Sequence, residues 1–421
     1  MSSFEIAALL VVVAAGFSYI NVAIFKLPST IALLLSGLAA SAVLALLDRV
    51  APSLTIAGQL QRSITRIDFA DFLLGGVLSF LLFAGALHLD FEELRRERVP
   101  VLVLASVGVI ISTLVLGLGS FLLFHLFHVE ISLAYCLVFG AVVSPTDPIA
   151  VLGIIKTVGA PKALEVKIAG ESLFNDGFAI VLFSVLTSVA AGAAHEVSGS
   201  TFEAAALMFL EEAVGGVALG LLLGYLTYQL MKRIDEPNVE VFLSFALVLA
   251  ISLIAFRVHT SAPLACVVAG LFIGNQGRRF ALQEASRQAL DLVWSFIDYL
   301  LNAILFLLLG LQAILLWPGT GHAILIVPVI VLTLVARWCS VLFPSLLLRW
   351  RHHSMQPNWI TLLVWGGLRG GISVAMALSL PRFTGRDTVL VITYAVVIFS
   401  IVVQGLTMPA LTRRALRTKT V

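Results

Sequence analysis

The sequence predicts an all-α polytopic membrane protein with about thirteen transmembrane helices. Of its 421 residues, 60% are hydrophobic and only 12% are charged, whereas soluble domains carry roughly 25% charged residues. The mean hydropathy is +1.06. Apolar runs of about 18 to 30 residues recur along the chain, and each is long enough to cross a hydrocarbon core. We therefore expect residues 1–421 to form one transmembrane domain.

The apolar runs define the predicted helices in order. The first run lacks the basic start and the small-residue cleavage site of a signal peptide, so we expect it to be retained as a helix. The predicted segments are 4–25, 28–47, 69–88, 99–127, 131–155, 162–192, 202–231, 239–256, 259–275, 289–316, 322–348, 358–381 and 387–411.

Lys and Arg residues are distributed unequally between the two sets of alternating loops. Seventeen fall in one set, whereas the other set holds Arg49, Arg62, Arg66, Arg257, Arg382 and Arg386. Short cytoplasmic loops retain basic residues. This bias predicts an N-terminus outside the cell and a cytoplasmic C-terminus, and it fits an odd number of spans.

Few ionisable residues lie inside the predicted helices. Such groups are expensive in a bilayer and mark pathways, relays or counter-ions. The leading candidates are Asp147, Glu171, Asp176, Arg337 and Arg369. A second group, for which no helix break is predicted, consists of Glu211, Glu212 and Asp298, and we interpret these residues as candidates for lining a passage.

The fifth segment is interrupted by Ser-Pro-Thr-Asp-Pro at residues 144–148. Two prolines three residues apart remove backbone donors and push the preceding residues out of helical geometry. Unwound backbone at membrane depth is tolerated where it lines a cavity, and its freed carbonyls suit small ions. A simple proline kink is the alternative, but it gives no reason for Asp147 between the prolines.

The sixth segment carries Gly-Glu-Ser-Leu-Phe-Asn-Asp-Gly at residues 170–177. Ser172 and Asp176 are four residues apart and share one helix face, whereas Glu171 and Asn175 share the neighbouring face. A hydroxyl and a carboxylate are hard oxygen ligands of the kind that bare cations prefer. This face therefore predicts a cation site.

The twelfth segment contains Gly-Gly-Leu-Arg-Gly-Gly at residues 366–371. Glycine loosens a helix, and an isolated Arg at this depth requires an acidic partner or backbone carbonyls. We predict that Arg369 pairs with Glu171. Arg337 either orients the same carboxylates or extends to an interface.

Interrupted helices in corresponding positions of two halves are typical of inverted-repeat secondary transporters with a midplane site. The sequence has no G-x-x-x-x-G-K-[ST] loop, so ATP coupling within the chain is not expected. The eight histidines lie near segment ends without the spacing of metal ligands.

These motifs together resemble those of monovalent cation/proton antiporters of the NhaP and NHE type. The matching stretches are 144–148, 170–177, 269–278, 301–312 and 365–371. The resemblance implies an inverted-repeat antiporter fold with discontinuous helices 5 and 12. It also implies a homodimer in which core helices, including 99–192 and 322–411, move against a dimerisation scaffold.

The resemblance further implies roles for particular residues. Asp176 would bind either the cation or the proton, and the cation ligands (Na⁺ first, with Li⁺ or K⁺ as alternatives) would be Asp176, Ser172, Asp147 and Thr146. Asn175 would support the unwound fifth helix, with Glu171, Arg369 and Arg337 also supporting the site. The pair of Asn175 and Asp176 is similar to that of electroneutral one-for-one exchangers. Family members often carry a Glu where this chain has Ala84.

The predicted function is therefore exchange of a monovalent cation for H⁺ across the cell membrane, with no catalytic residues and no cofactor besides the transported ions. The expected partners are membrane lipid and a second copy of the chain, with no nucleic acid. A cation channel or uniporter using the same midplane site is the alternative. An intramembrane hydrolase using Ser172 and Asp176 lacks a convincing base or oxyanion arrangement.

Overall fold

The structure is a computed structural model that describes residues 3–50, 70, 73–192, 201–313, 323–350 and 357–417. Helices make up nearly all of this part of the chain. The first eight are α1 (Ser3–Ile20), α2 (Ser29–Val50), α3 (Leu78–Leu87), α4 (Phe91–Leu126), α5 (Leu133–Val143), α6 (Ile149–Val158), α7 (Lys162–Ala190) and α8 (Thr201–Met231).

Apart from two three-residue turns, Arg278–Phe280 and Ala323–Leu325, the remaining helices are α9 (Pro237–Arg257), α10 (Ala262–Phe272), α11 (Glu284–Ala313), α12 (Ile326–Trp350), α13 (Pro357–Trp365), α14 (Gly371–Ser379), α15 (Arg386–Phe399) and α16 (Gly405–Arg417). Short π-helical turns extend α1, α10 and α15 at their C-terminal ends and α3 at its N-terminal end. The turn between α15 and α16, Ser400–Gln404, joins them into one span.

Several helices begin at side chains that accept hydrogen bonds from free backbone amides. Asp90 accepts from the amides of Glu92 and Glu93 at 3.0 and 3.2 Å and starts α4. Ser132 accepts from the Tyr135 amide and starts α5. Helix ends leave donors without intrahelical partners, and short oxygen-bearing side chains satisfy them.

Each predicted segment overlaps a helix or a pair of half-helices, and the all-helical fold is confirmed. Eight of the described helices are long and apolar enough to cross a membrane by length and composition. Others are shorter apolar helices, so the count of thirteen spans stays a prediction. Parts of the third, tenth and eleventh predicted segments lie outside the described residues.

Both predicted breaks are present. We call α5, residues 144–148 and α6 the first broken helix, and α13, residues 366–370 and α14 the second. The unwound stretches meet: the Asp147 amide donates to the Leu368 carbonyl at 2.7 Å, and the two residues form an isolated antiparallel bridge. Four half-helix ends therefore converge on one place in the protein.

Candidate functional site

A cavity of about 540 Å³ reaches the crossing of the two broken helices. Thr146, Asp147 and Asp176 line it beside the crossing. The exposed residues Asp90 and Lys162 also line it, so the cavity connects the crossing with the protein surface. A passage of this kind allows a small hydrated ion to reach two carboxylates.

Thr146, in the first break, is held against α7 by three contacts. Its backbone amide donates to Asn175 Oδ1 at 3.4 Å, and Asn175 Nδ2 donates to its hydroxyl at 2.8 Å. The hydroxyls of Thr146 and Ser172 lie 3.1 Å apart. All three residues are buried. The structure therefore brings the predicted residues of helices five and six together, with Ser172 behind Thr146 relative to the cavity.

Asp147 lies where two half-helices begin. Its Oδ1 accepts from the Ile149 amide at 2.9 Å, at the start of α6. A Cβ added to Gly370, the residue before α14, would lie 2.6 Å from Asp147 Oδ2. Only glycine allows the second break to approach this carboxylate so closely. Helix N-termini carry partial positive charge, and two of them lie beside the Asp147 carboxylate.

The predicted pair of Glu171 and Arg369 is wrong. Glu171 instead pairs with Arg337, whose Nη1 and Nη2 donate to the carboxylate oxygens at 2.5 and 3.1 Å. Arg337 also donates to the Leu363 carbonyl from Nε and Nη2, at 3.1 and 2.8 Å. Arg337 is buried, so the alternative that it extends to an interface is also wrong. A Cβ on Gly367 would clash with its guanidinium.

Arg369 takes a different role because it lies beside the carbonyl end of α5. Its Nη1 donates to the carbonyls of Ser144 and Pro145 at 2.9 and 3.2 Å. Carbonyls at a helix C-terminus lack intrahelical partners and carry partial negative charge. Arg369 satisfies those of the first break, as Arg337 satisfies Leu363 near the second.

The sequence analysis missed two residues that support the second break. Ser400 Oγ accepts from the Arg369 amide at 2.8 Å, and Gln404 Nε2 donates to the Trp365 carbonyl at 3.1 Å. Both polar residues lie in the π-helical turn of an otherwise apolar span. Polar side chains within an apolar run are the signal that could have identified them.

Of the second group of candidates, Glu211, Glu212 and Asp298, one residue lines the cavity and two do not. Asp298, on α11, lines the cavity, as predicted. Glu212 accepts from Ser184 Oγ at 2.9 Å, and neither it nor Glu211 is among the residues lining the cavity. Asn302, one turn beyond Asp298, lines the cavity and was missed. Its position four residues after a membrane carboxylate could have indicated it.

The profile of the family described as "Sodium/hydrogen exchanger, transmembrane" matches residues 8–414. The chain belongs to this family. Membership makes it a membrane transporter rather than an enzyme and suggests no cofactor. The broken helices and the shared cavity are therefore features of a sodium/hydrogen exchanger family member.

Similar proteins cover almost the whole chain. The Na(+)/H(+) antiporter NhaP of Pseudomonas aeruginosa is 43% identical over 402 residues, which are 94% of this chain and 93% of the relative. The Na(+)/H(+) antiporter NhaH of Halobacillus dabanensis is 35% identical over 409 residues, 96% of each. The structure of the sodium proton antiporter MjNhaP1 from Methanocaldococcus jannaschii matches with a TM-score of 0.76 at 17% identity, over 98% of each chain. This last match shows the fold alone.

Proposed function

We propose that this protein exchanges Na⁺ for H⁺ across the cell membrane, with Li⁺ and K⁺ as alternative cations. The observation that carries the proposal is the cavity that connects exposed residues with Asp147 and Asp176 at the crossing of the broken helices. The family and the named antiporters among its relatives agree with this function. They disfavour the channel or uniporter.

Asp176 is the residue at which cation and proton compete. Asp147, Thr146 and Ser172 supply the neighbouring oxygen atoms, which suit a hard monovalent cation. An empty site with buried negative charge crosses the low-dielectric core far more slowly than a neutralised one. Only the cation-loaded and the protonated forms of the site then switch their access from one side of the membrane to the other. One cation is therefore exchanged for one proton.

The support residues hold the site rather than bind the ion. Asn175 fixes the first break through Thr146. Glu171 is neutralised by Arg337, and the two remaining carboxylates at the crossing, Asp147 and Asp176, face the cavity. With Asn at 175, a single exchangeable carboxylate on α7 favours electroneutral exchange.

The cavity also supports a conformational assignment. It reaches Lys162, which lies in the loop set that the positive-inside rule places in the cytoplasm. This opening supports an inward-open state, in a protein whose N-terminus lies outside and whose C-terminus lies inside. Core helices within 99–192 and 322–411 move against the remaining helices, which form the scaffold of a homodimer.

Asp176→Asn tests the proposal, because the amide keeps the size of the side chain but cannot exchange a proton. We expect Na⁺-dependent proton movement in proteoliposomes to fall to background. Glu211→Gln is the matched control, since it removes a carboxylate from an apolar helix that does not line the cavity. Coupled exchange by Asp176→Asn at the wild-type rate would contradict the proposal.

A further inference from the structure

Helix α11 presents a second set of oxygen atoms to the cavity. Asp298 and Asn302 lie one turn apart on this helix, and both line the cavity that reaches Asp147 and Asp176. Asp298 is close enough to Asp147 to act on it electrostatically. The proposed competition at Asp176 assigns no role to either α11 residue.

The orientation of the Asn302 amide is fixed by its partners. Its Nδ2 donates to the Asp298 backbone carbonyl at 2.8 Å and to Asp298 Oδ1 at 3.0 Å. Both partners are acceptors, so the nitrogen must face them and Oδ1 must point elsewhere. Within the described residues Oδ1 has no hydrogen-bond partner, although Asn302 is only 5% exposed. A buried amide oxygen without a partner is costly unless a ligand or water satisfies it.

Ser373, in the first turn of α14, carries a second buried oxygen atom without a hydrogen-bond partner among the described residues. Ser373 also lines the cavity. A Cβ on Gly371 would lie 2.6 Å from Leu305 Cδ1. The start of α14 thus packs on α11 one turn beyond Asn302, and Ser373, two residues after Gly371, lines the same cavity as Asn302.

The charges along the cavity favour a cation at these oxygen atoms. Its titratable lining residues are Asp90, Asp147, Glu165, Asp176 and Asp298, with His88 and Lys162. Of the two buried arginines at the crossing, Arg337 is paired with Glu171. Arg369 donates from Nη1 to backbone carbonyls, and its Nε and Nη2 have no partner among the described residues. Neither arginine lines the cavity. Carboxylates therefore outnumber basic residues along the cavity.

We propose that the Asp298 carboxylate, together with Asn302 Oδ1 and Ser373 Oγ, forms an accessory monovalent-cation site, distinct from the site at Asp176. A carboxylate, an amide oxygen and a hydroxyl, completed by water, are ligands for a hard cation. The accessory site holds the cation in the cavity and raises its concentration beside Asp147 and Asp176. This inference rests on the proposed exchange function and adds a second binding step to it.

The test compares Asp298→Asn with wild type for the apparent KM for Na⁺ and the maximal exchange rate in proteoliposomes. Asn keeps an oxygen that can accept from Asn302 Nδ2, so the helix contact survives. Loss of one charge should raise KM at least about fivefold, the factor expected for two charges about 4 Å apart at the permittivity of water. The maximal rate should stay close to that of wild type. Glu211→Gln should leave both constants unchanged.

A charge-transfer variant separates electrostatics from packing. Asp298→Asn combined with Asn302→Asp returns one carboxylate to the same turn of α11, and it should restore a KM near the wild-type value. An unchanged KM in Asp298→Asn overturns the inference, as does a raised KM that the double variant fails to lower. Wild-type exchange measured in parallel tests the proposed function itself, so the two failures remain distinguishable.

Binding without transport gives a second measurement. In Asp176→Asn protein, Na⁺ should still raise the thermal unfolding midpoint relative to choline, because the α11 oxygens remain. Adding Asp298→Asn should remove that increase. Equal Na⁺ stabilisation with and without Asp298 would contradict the accessory site, even if Asp298→Asn alone proved too unstable for transport assays.

Discussion

The two broken helices both unwind inside the protein, but different residues form and stabilise the two breaks. The first break contains prolines and an acidic residue, and its oxygens line the cavity. The second contains glycines and Arg369, and its carbonyl end is bound by Arg337 and Gln404. In each broken helix, an arginine from another part of the chain binds carbonyls at or near the C-terminus of the half-helix that precedes the break. Arg369 does so at α5 and Arg337 at α13. In the proposed mechanism, the first break supplies ion ligands, and the second supplies a buried arginine and close backbone approach.

The largest expected effect is a loss of folding free energy when the buried pair of Glu171 and Arg337 is broken. Glu171→Gln or Arg337→Met breaks a buried, doubly hydrogen-bonded ion pair, and loss of one partner typically costs about 3–5 kcal/mol of folding free energy. A double-mutant cycle in detergent, followed by thermal unfolding, should show strong coupling between these residues. The corresponding cycle for Glu171 and Arg369 should show weaker coupling. Stronger coupling to Arg369 would restore the pairing that the sequence suggested.

The second prediction tests the close approach of the two breaks. Gly370→Ala places a methyl group 2.6 Å from Asp147 Oδ2, and overpacking of this kind costs about 1–3 kcal/mol. We expect the exchange rate to fall about tenfold or more, since 1.4 kcal/mol corresponds to one factor of ten. Gly153→Ala is the matched control, because a Cβ there meets nothing within 4 Å. Equal rates for the two variants would place Asp147 away from the second break.

Asn175→Ala should have an intermediate effect on the first break. It removes both contacts with Thr146 and leaves buried polar groups unpaired, at a cost of about 1–3 kcal/mol. The apparent KM for Na⁺ should increase while α7 remains folded, as measured by cation titration of proton movement. Ser188→Ala removes a side-chain bond to the Ser184 carbonyl on the same helix and should behave as wild type. An unchanged KM in Asn175→Ala would show that the first break holds its shape without α7.

Thr146 gives the smallest and most specific effect. Thr146→Val removes the hydroxyl that contacts Ser172 and Asn175, whereas Thr146→Ser retains it. A hydrogen bond of this type contributes about 1 kcal/mol, so Val should raise the apparent KM by a few fold and Ser should change it little. If both variants perform alike, the hydroxyl is not part of the cation site.

Sequence reasoning located the breaks because their causes are local. Pro145, Pro148 and the glycines around Arg369 act on their own backbone, and the spacing of Ser172 and Asp176 defines one helix face. Pairing of buried charges is not local. Arg337 reaches Glu171 because α12 passes beside both α7 and Leu363, and Arg369 is drawn to α5 carbonyls. A count of charges in the spans cannot distinguish these two arrangements.

The α11 residues also show which parts of the site could not be predicted from the sequence. Asp298 was recognised as a candidate because a carboxylate in an apolar helix is rare. Asn302 and Ser373 are polar but uncharged, and such residues are common where helices pack in membranes. Their unpartnered oxygens become informative only when the cavity and the hydrogen bonds of Asn302 are known.

The most direct test of the central claim is cation-driven proton movement in proteoliposomes. A pH gradient is imposed, Na⁺, Li⁺ or K⁺ is added in turn, and internal pH is followed with the membrane potential either free or clamped. The account predicts cation-dependent proton movement that does not respond to the clamp and is absent in Asp176→Asn. Current without cation–proton coupling, or exchange that survives Asp176→Asn, would contradict it.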